Sequence, residues 1–177
     1  MPNLEQIDNS RIKYIKDRLT LENLDEILQE IMSWADKINF LSVDVDGMEG
    51  HLTIGLLERG VRPEVIVVEI NRVYPPPLVF KQPYDANYVW DKSINSGWSL
   101  QAYVDELGKF GYKLVACNGH TGVNAFFVAG EVAHLFPDVP REVADIYIGR
   151  GTRHLKYEPG WLVADRNTAS AIVRNES

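Results

Sequence analysis

NFLSVDVDG at residues 39–47 and VIVVEIN at residues 65–71 decide how this chain folds. The first run is rich in β-branched residues and stops at Gly47, the pattern of a strand that ends in a turn. The second is almost continuously apolar, as expected for a strand covered on both faces. Between them, His51 to Leu57 reads as a short helix ending near Gly60. Strand, helix and strand in that order imply a parallel pair joined by a crossover.

The same logic extends in both directions. Upstream, Thr20 stands as an N-cap before Leu21, Leu24, Ile27, Leu28, Ile31 and Ala35, which recur at helical spacing. Residues 11–16 half-alternate like a strand and also fit a short helix. Downstream, residues 72–97 form a long irregular stretch holding Pro75, Pro76, Pro77 and many aromatics, a length typical of functional lids. A helix follows over 99–110, with Leu100, Val104, Leu107 and Phe110 on one face and Gly111 as its stop. Tyr112 to Cys117 and Val123 to Val128 read as strands, and the short connection 118–122 permits only an antiparallel hairpin. The expected fold class is α/β, a mostly parallel sheet with an antiparallel C-terminal hairpin. Residues 1–136 are expected to form this domain, with 137–177 as a C-terminal extension and tail.

Composition excludes several classes. With 45% hydrophobic and 24% charged residues, the 177-residue chain is neither disordered nor collagen-like. A net charge of −7 disfavours a broad grip on nucleic-acid phosphates. Cys117 is the only cysteine, which removes an internal disulfide and a cysteine-based zinc site. No apolar run reaches membrane-spanning length and no signal-peptide core opens the chain, so a cytoplasmic protein with no membrane partner is expected.

Side chains alternate along a strand, so Ser42, Asp44 and Asp46 share one face of the first strand, and Glu69 and Asn71 share one face of the second. Charged residues there are costly unless paired. Ligands of open α/β sheets bind outside the carboxyl ends of the strands, where Asp44, Asp46 and Glu69 would crowd together. The hairpin turn brings Asn118, His120 and Asn124 toward the same edge, and the lid contributes aromatics such as Tyr74 and Trp90. Such a cluster holds a proton, a cation or a positively charged substrate. Asp44-x-Asp46 with Glu69 also suits Mg²⁺ or Mn²⁺, since these ions take hard oxygen ligands. Blander roles fit the same residues: Asp46 as the acceptor of a strand-ending turn, Glu69 as a partner of Arg72, His120 as a solvated loop histidine, and the lid aromatics as packing.

Taken with Gly111 to Asn118 (GYKLVACN) and Gly122 to Val128 (GVNAFFV), the two deciding segments resemble the C-terminal half of FkbM-type methyltransferases. The likeness is to a bacterial branch with a SIDIDG strand, a VIEYN strand and a GVNAFFV finish, and covers residues 19–135 in order. It implies a partial Rossmann-like sheet of the class I, S-adenosylmethionine-dependent kind. The strand ending at Asp46 would be the fourth of that sheet, the one ending at Glu69 and Asn71 the fifth, and the hairpin the last two. It also implies a small hydroxylated substrate, a sugar or natural-product intermediate. Asp44 or Asp46 would position or deprotonate it, and Glu69 or His120 would be the base. Asn71, Asn118, Asn124, Tyr74 and Trp90 would bind it.

One family feature is missing. No strand is followed by the glycine-rich turn that cradles S-adenosylmethionine: residues 46–50 have the wrong spacing, and residues 118–122 sit inside the hairpin. Fewer than forty residues precede the motif strand. The resemblance therefore implies a sheet cut down to its C-terminal half, with residues 40–46 as an exposed edge that needs a cover. A homodimer, a partner chain, or residues 11–16 folded back as a strand would each supply one. The alternatives to a methyltransferase-like enzyme are a non-catalytic binding or assembly half-domain and a metal-dependent transferase or hydrolase.

Overall fold

The computed structural model describes residues 12–149. Its elements in chain order are α1 (Leu24–Met32), β1 (Phe40–Val43), α2 (Glu49–Glu58), β2 (Val65–Glu69), α3 (Leu100–Lys109), β3 (Tyr112–Cys117), β4 (Asn124–Ala129), a 3₁₀ stretch (Gly130–Leu135) and α4 (Val143–Ile146). The four strands form one sheet in the order β1-β2-β4-β3. β1 and β2 are parallel, and β4 runs antiparallel to both β2 and β3. A mixed α/β fold with a parallel pair and a closing hairpin is thus what the sequence pattern implies.

β2 owes its apolar run to its position. It is hydrogen-bonded to β1 on one side and β4 on the other, with Val65 to Val68 paired to Phe40 to Val43 and Val65 to Glu69 paired to Val128 to Asn124. Ile66, Val68 and Ile70 join Phe127 and Ala125 against α3, which contributes Leu100, Tyr103 and Leu107. A second cluster forms where Leu24 of α1 meets Val43, Met48, Leu52 and Leu56. Burying each of these large side chains contributes roughly 1.5–3 kcal/mol. No helix among the described residues is long and apolar enough to cross a membrane.

Three expectations are corrected. The first strand stops at Val43, so Asp44 and Asp46 lie in the turn beyond it rather than on a shared strand face. Helix α1 begins at Leu24, and Thr20 is held outside it by Asn23, whose Oδ1 accepts from the Thr20 amide at 2.8 Å. Residues 12–16 form no strand, and Arg11 lies outside the described residues, so β1 remains hydrogen-bonded on one side only among the described residues. Phe40 at this edge is 59% exposed. Beyond residue 136, Val143, Ile146, Tyr147 and Ile148 pack against the main core. The rest of the expected tail, 150–177, lies outside the described residues.

Residues 72–97 are fastened at several points rather than hanging free. Ser99 caps α3, its Oγ accepting from the Ala102 and Phe80 amides at 3.3 and 3.0 Å and donating to the Leu78 carbonyl at 2.9 Å. Gln82 exchanges bonds with Gly97, and the Tyr84 hydroxyl donates to Glu22 at 2.6 Å while accepting from the Leu21 amide. The segment is a strap across the sheet's end. Its foot rests on Trp98, whose ring fills the space a Cβ at Gly50 would need.

That contact yields a paired prediction. Gly50→Ala drives a methyl into the Trp98 ring and is expected to destabilise by about 1–3 kcal/mol through overpacking. Gly108→Ala, in α3 with nothing within 4 Å of the added Cβ, is expected to stabilise by about 0.5–1 kcal/mol. Urea unfolding of the two variants checks both signs.

Candidate functional site

A cleft of about 150 Å³ opens at the carboxyl ends of β1 and β2. Asp46, Gly47 and Glu49 come to it from the β1–α2 turn, Glu69 and Asn71 from the end of β2, Lys92 to Ile94 and Trp90 from the strap, and Val123 from the hairpin. Two non-glycine residues among those described have positive φ, Asp46 at 57° and Lys92 at 68°, and both line this cleft. Backbone strain of that kind costs on the order of 1–3 kcal/mol per residue and clusters at functional sites.

Glu49 builds the floor. It is 2% exposed, and its Oε1 accepts from the Val45 amide at 2.9 Å and the Gly47 amide at 2.8 Å. Its carboxyl thereby folds the chain from β1 into α2 and holds Asp44 toward β2. Acceptor oxygens of Asp44, Glu49 and Glu69 lie within 4.8 Å of one another. Burial raises the Glu49 carboxyl above its usual range, the two amides oppose that shift, and the Asp44 charge adds to it.

Glu69, half-buried, is pushed up to about 7, first by burial and then by the charges of Glu49, Asp44 and Asp46 and a hydrogen bond with Asp44. Tyr103 sits behind this group, fully buried, and its hydroxyl finds no partner among the described residues. Burial, then the charges of Glu49 and Glu69, push its pKa well above the usual phenol range and keep the hydroxyl neutral.

The residues expected from the sequence divide. Asp46 and Glu69 line the cleft, and Asp44 joins the carboxylate group beside it. Asn71 and Trp90 also line it, but the Asn71 side chain is spent on the strap: Nδ2 donates to the Ile94 and Ser96 carbonyls at 2.6 and 2.7 Å, and Oδ1 accepts from the Val73 amide. Asn124 lies opposite Glu69 in the β2–β4 ladder. Asn118 organises its own turn, accepting from the His120 and Thr121 amides. His120 is exposed at the turn's tip and does not line the cleft, because β4 rather than the tip lies beside β2. Tyr74 is also outside it, stacked on Phe80 and donating to Asn95.

Glu49 and Lys92 were not expected. A signal for Glu49 exists: Asp46 and Glu49 stand three residues apart just before an apolar helix, the spacing of a capping box. Lys92 enters through a loop conformation that has no sequence signature.

Asp44, Glu49 and Glu69 form the one group among the described residues with the geometry to hold a hard cation, Glu49 taking the place expected for Asp46. Neither Gly47 nor Gly50 offers the open backbone of a glycine-rich S-adenosylmethionine cradle. A Cβ at Gly47 would stand 2.6 Å from the Tyr88 ring and 2.8 Å from the Ser96 hydroxyl, and one at Gly50 would strike Trp98. These glycines make room for the chain's own side chains, not for a cofactor. Compared with known proteins, the chain matches no family model, no curated protein and no solved structure.

The raised Glu69 carboxyl sets a pH dependence. A folded-state value of about 7 against an unfolded value near 4.5 means that the native state binds the proton more tightly between those limits. Stability from this group is therefore full below about pH 4.5 and is lost as pH rises to about 7. Allowing for solvent screening of a half-buried group, the loss is on the order of 1–2 kcal/mol. Glu69→Gln is expected to flatten that part of the profile in chemical denaturation measured from pH 4.5 to 8. A profile unchanged by the substitution contradicts it.

Proposed function

We propose that this chain is a methyltransferase-like enzyme of FkbM type, with a partial Rossmann-like sheet whose cleft holds a small hydroxylated molecule. The observation that supports this best is convergence. Asp46, Glu69 and Asn71, from the separate segments that carry the resemblance, line one cleft at the carboxyl ends of parallel strands. In this reading Glu69, shielded from water and close to neutral in its proton affinity, accepts the proton of a substrate hydroxyl. Asp46 orients that hydroxyl, and the strap holds the substrate against the floor. Positioning of this kind is the larger part of what alkyl transfer needs from a protein. Transfer to that oxygen would need a bound alkyl donor, which the resemblance implies is S-adenosylmethionine and for which Gly47 and Gly50 form no glycine-rich cradle.

Calorimetry of the chain with S-adenosylmethionine and with S-adenosylhomocysteine tests the transfer step: heat from either supports it, and no heat from either removes the methyltransferase reading for this chain. An NMR screen of hydroxylated small molecules is expected to shift the amides of Glu69, Asn71 and Val123, with affinity reduced about tenfold or more by Glu69→Gln, as loss of a hydrogen bond to a charged group implies. A screen whose binders all map elsewhere overturns the reading.

The carboxylate group favours one second reading, a metal-dependent transferase or hydrolase using Mg²⁺ or Mn²⁺. Its mark is a rise in Tm with Mn²⁺ that Asp44→Asn removes; an unchanged Tm counts against it. The outer edge of β1, unpaired among the described residues, is a separate matter. We propose that a second copy of the chain or a partner chain pairs with it, since a bare apolar edge invites aggregation. Sedimentation equilibrium of the wild type and Phe40→Lys tests this, with self-association expected only for the wild type; a wild type that stays monomeric in solution with the edge bare overturns it.

A further inference from the structure

We propose that the cleft takes only the hydroxyl-bearing end of its ligand, and that a second cavity beyond Asp46 and Trp90 takes an aromatic or alicyclic body, without negative charge, attached to it. The inference rests on the reading of the cleft as an acceptor site. The second cavity has a volume of about 400 Å³. Asp46 and Trp90 line both spaces, so the two meet along one shared wall.

Size points to a divided ligand. Small-molecule sites usually span about 300–1,000 Å³. The inner cleft is below that range by itself, and the outer cavity is within it. Their linings differ in kind. The inner space is floored by Glu49 and Glu69, whereas the outer one is walled by Val45 and Met48 from the β1–α2 turn and by Tyr84 and Tyr88 from the strap. Trp90 is 48% exposed, so its ring is not committed to the core. Its Nε1 donates to the Ser93 carbonyl at 3.2 Å, which steadies the indole where the two spaces join. Aromatic faces of this kind recognise flat or cyclic apolar groups. The carboxylates of Asp17 and Asp85 also line the outer cavity, against the single cation of Arg18, and this balance disfavours an anionic body.

Asp46 connects the two halves chemically. Its positive φ sets it at the junction, one residue from the Gly47 backbone on which the Tyr88 ring rests. A hydroxyl bonded to Asp46 on the inner side leaves its substituent pointing past Trp90.

Phenoxypropanediol and methoxypropanediol share a diol head and differ only in the body, so they serve as probes. In NMR titrations of the full chain, phenoxypropanediol is expected to bind about tenfold more tightly and to shift the methyls of Met48 and Ala86. Trp90→Ala removes the shared platform, and Ala86→Leu narrows the outer cavity alone. Each is expected to cut the phenoxy advantage to less than about threefold. Equal affinities for the two probes, or an advantage that survives both substitutions, overturn the two-cavity arrangement and leave the inner cleft standing. Failure of both probes to bind overturns this inference and the acceptor reading together.

Discussion

A carboxyl group buried at the start of a helix governs the arrangement of everything around it. Glu49 is almost fully withdrawn from water, a placement that costs several kcal/mol unless hydrogen bonds compensate. The Val45 and Gly47 amides supply them, and they do so by forcing the chain to turn sharply after Val43. That turn ends β1 early, throws Asp46 into the left-handed region and brings Asp44 against Glu69. The raised proton affinity of Glu69 follows from the same crowding. Removing the Glu49 carboxyl would therefore disturb the fold and the chemistry at once, which makes it a poor choice for separating the two.

Most of the architecture was legible in the sequence because it follows from periodicity. The continuous apolar run of Val65 to Val68 fixes β2 as a strand with neighbours on both sides, and the short 118–122 connection fixes β3 and β4 as antiparallel. Order within the sheet was not legible. Nothing in the pattern of β3 or β4 says which of them lies beside β2, and the answer, β4, decides which hairpin residues approach the cleft. Asn124 is thereby set opposite Glu69, and His120 is carried away. The end of β1 was misread for a related reason. Ser42, Asp44 and Asp46 alternate perfectly, but alternation cannot register a carboxylate three residues further on that pulls the backbone out of the ladder.

The site itself was half legible. Asp44, Asp46 and Glu69 stood out because charged side chains beside apolar strands need an explanation. Glu49 was hidden by its place in a helix, where an acidic first-turn residue is ordinary. Asn71 was found for its position but not its work: an amide at a strand end serves a ligand or a loop equally well, and here its side-chain bonds go to the strap.

The strap's own construction says where motion belongs. It is pinned by Asn71 at the end of β2, by Ser99 at the start of α3 and by Tyr84 against the Leu21 amide, and Gln82 ties it to itself through Gly97. Between the pins, Val89, Trp90 and Ile94 are exposed at 75%, 48% and 41%, and the side-chain bonds of Asp91 and Trp90 stay within three residues along the chain. Local opening draws on segments with few buried contacts, so the tip can yield while the feet hold. A molecule entering between Trp90 and Asp46 would then displace only that tip. The carboxylate floor is held from below by Glu49, whose bonds go to the Val45 and Gly47 amides rather than to the tip.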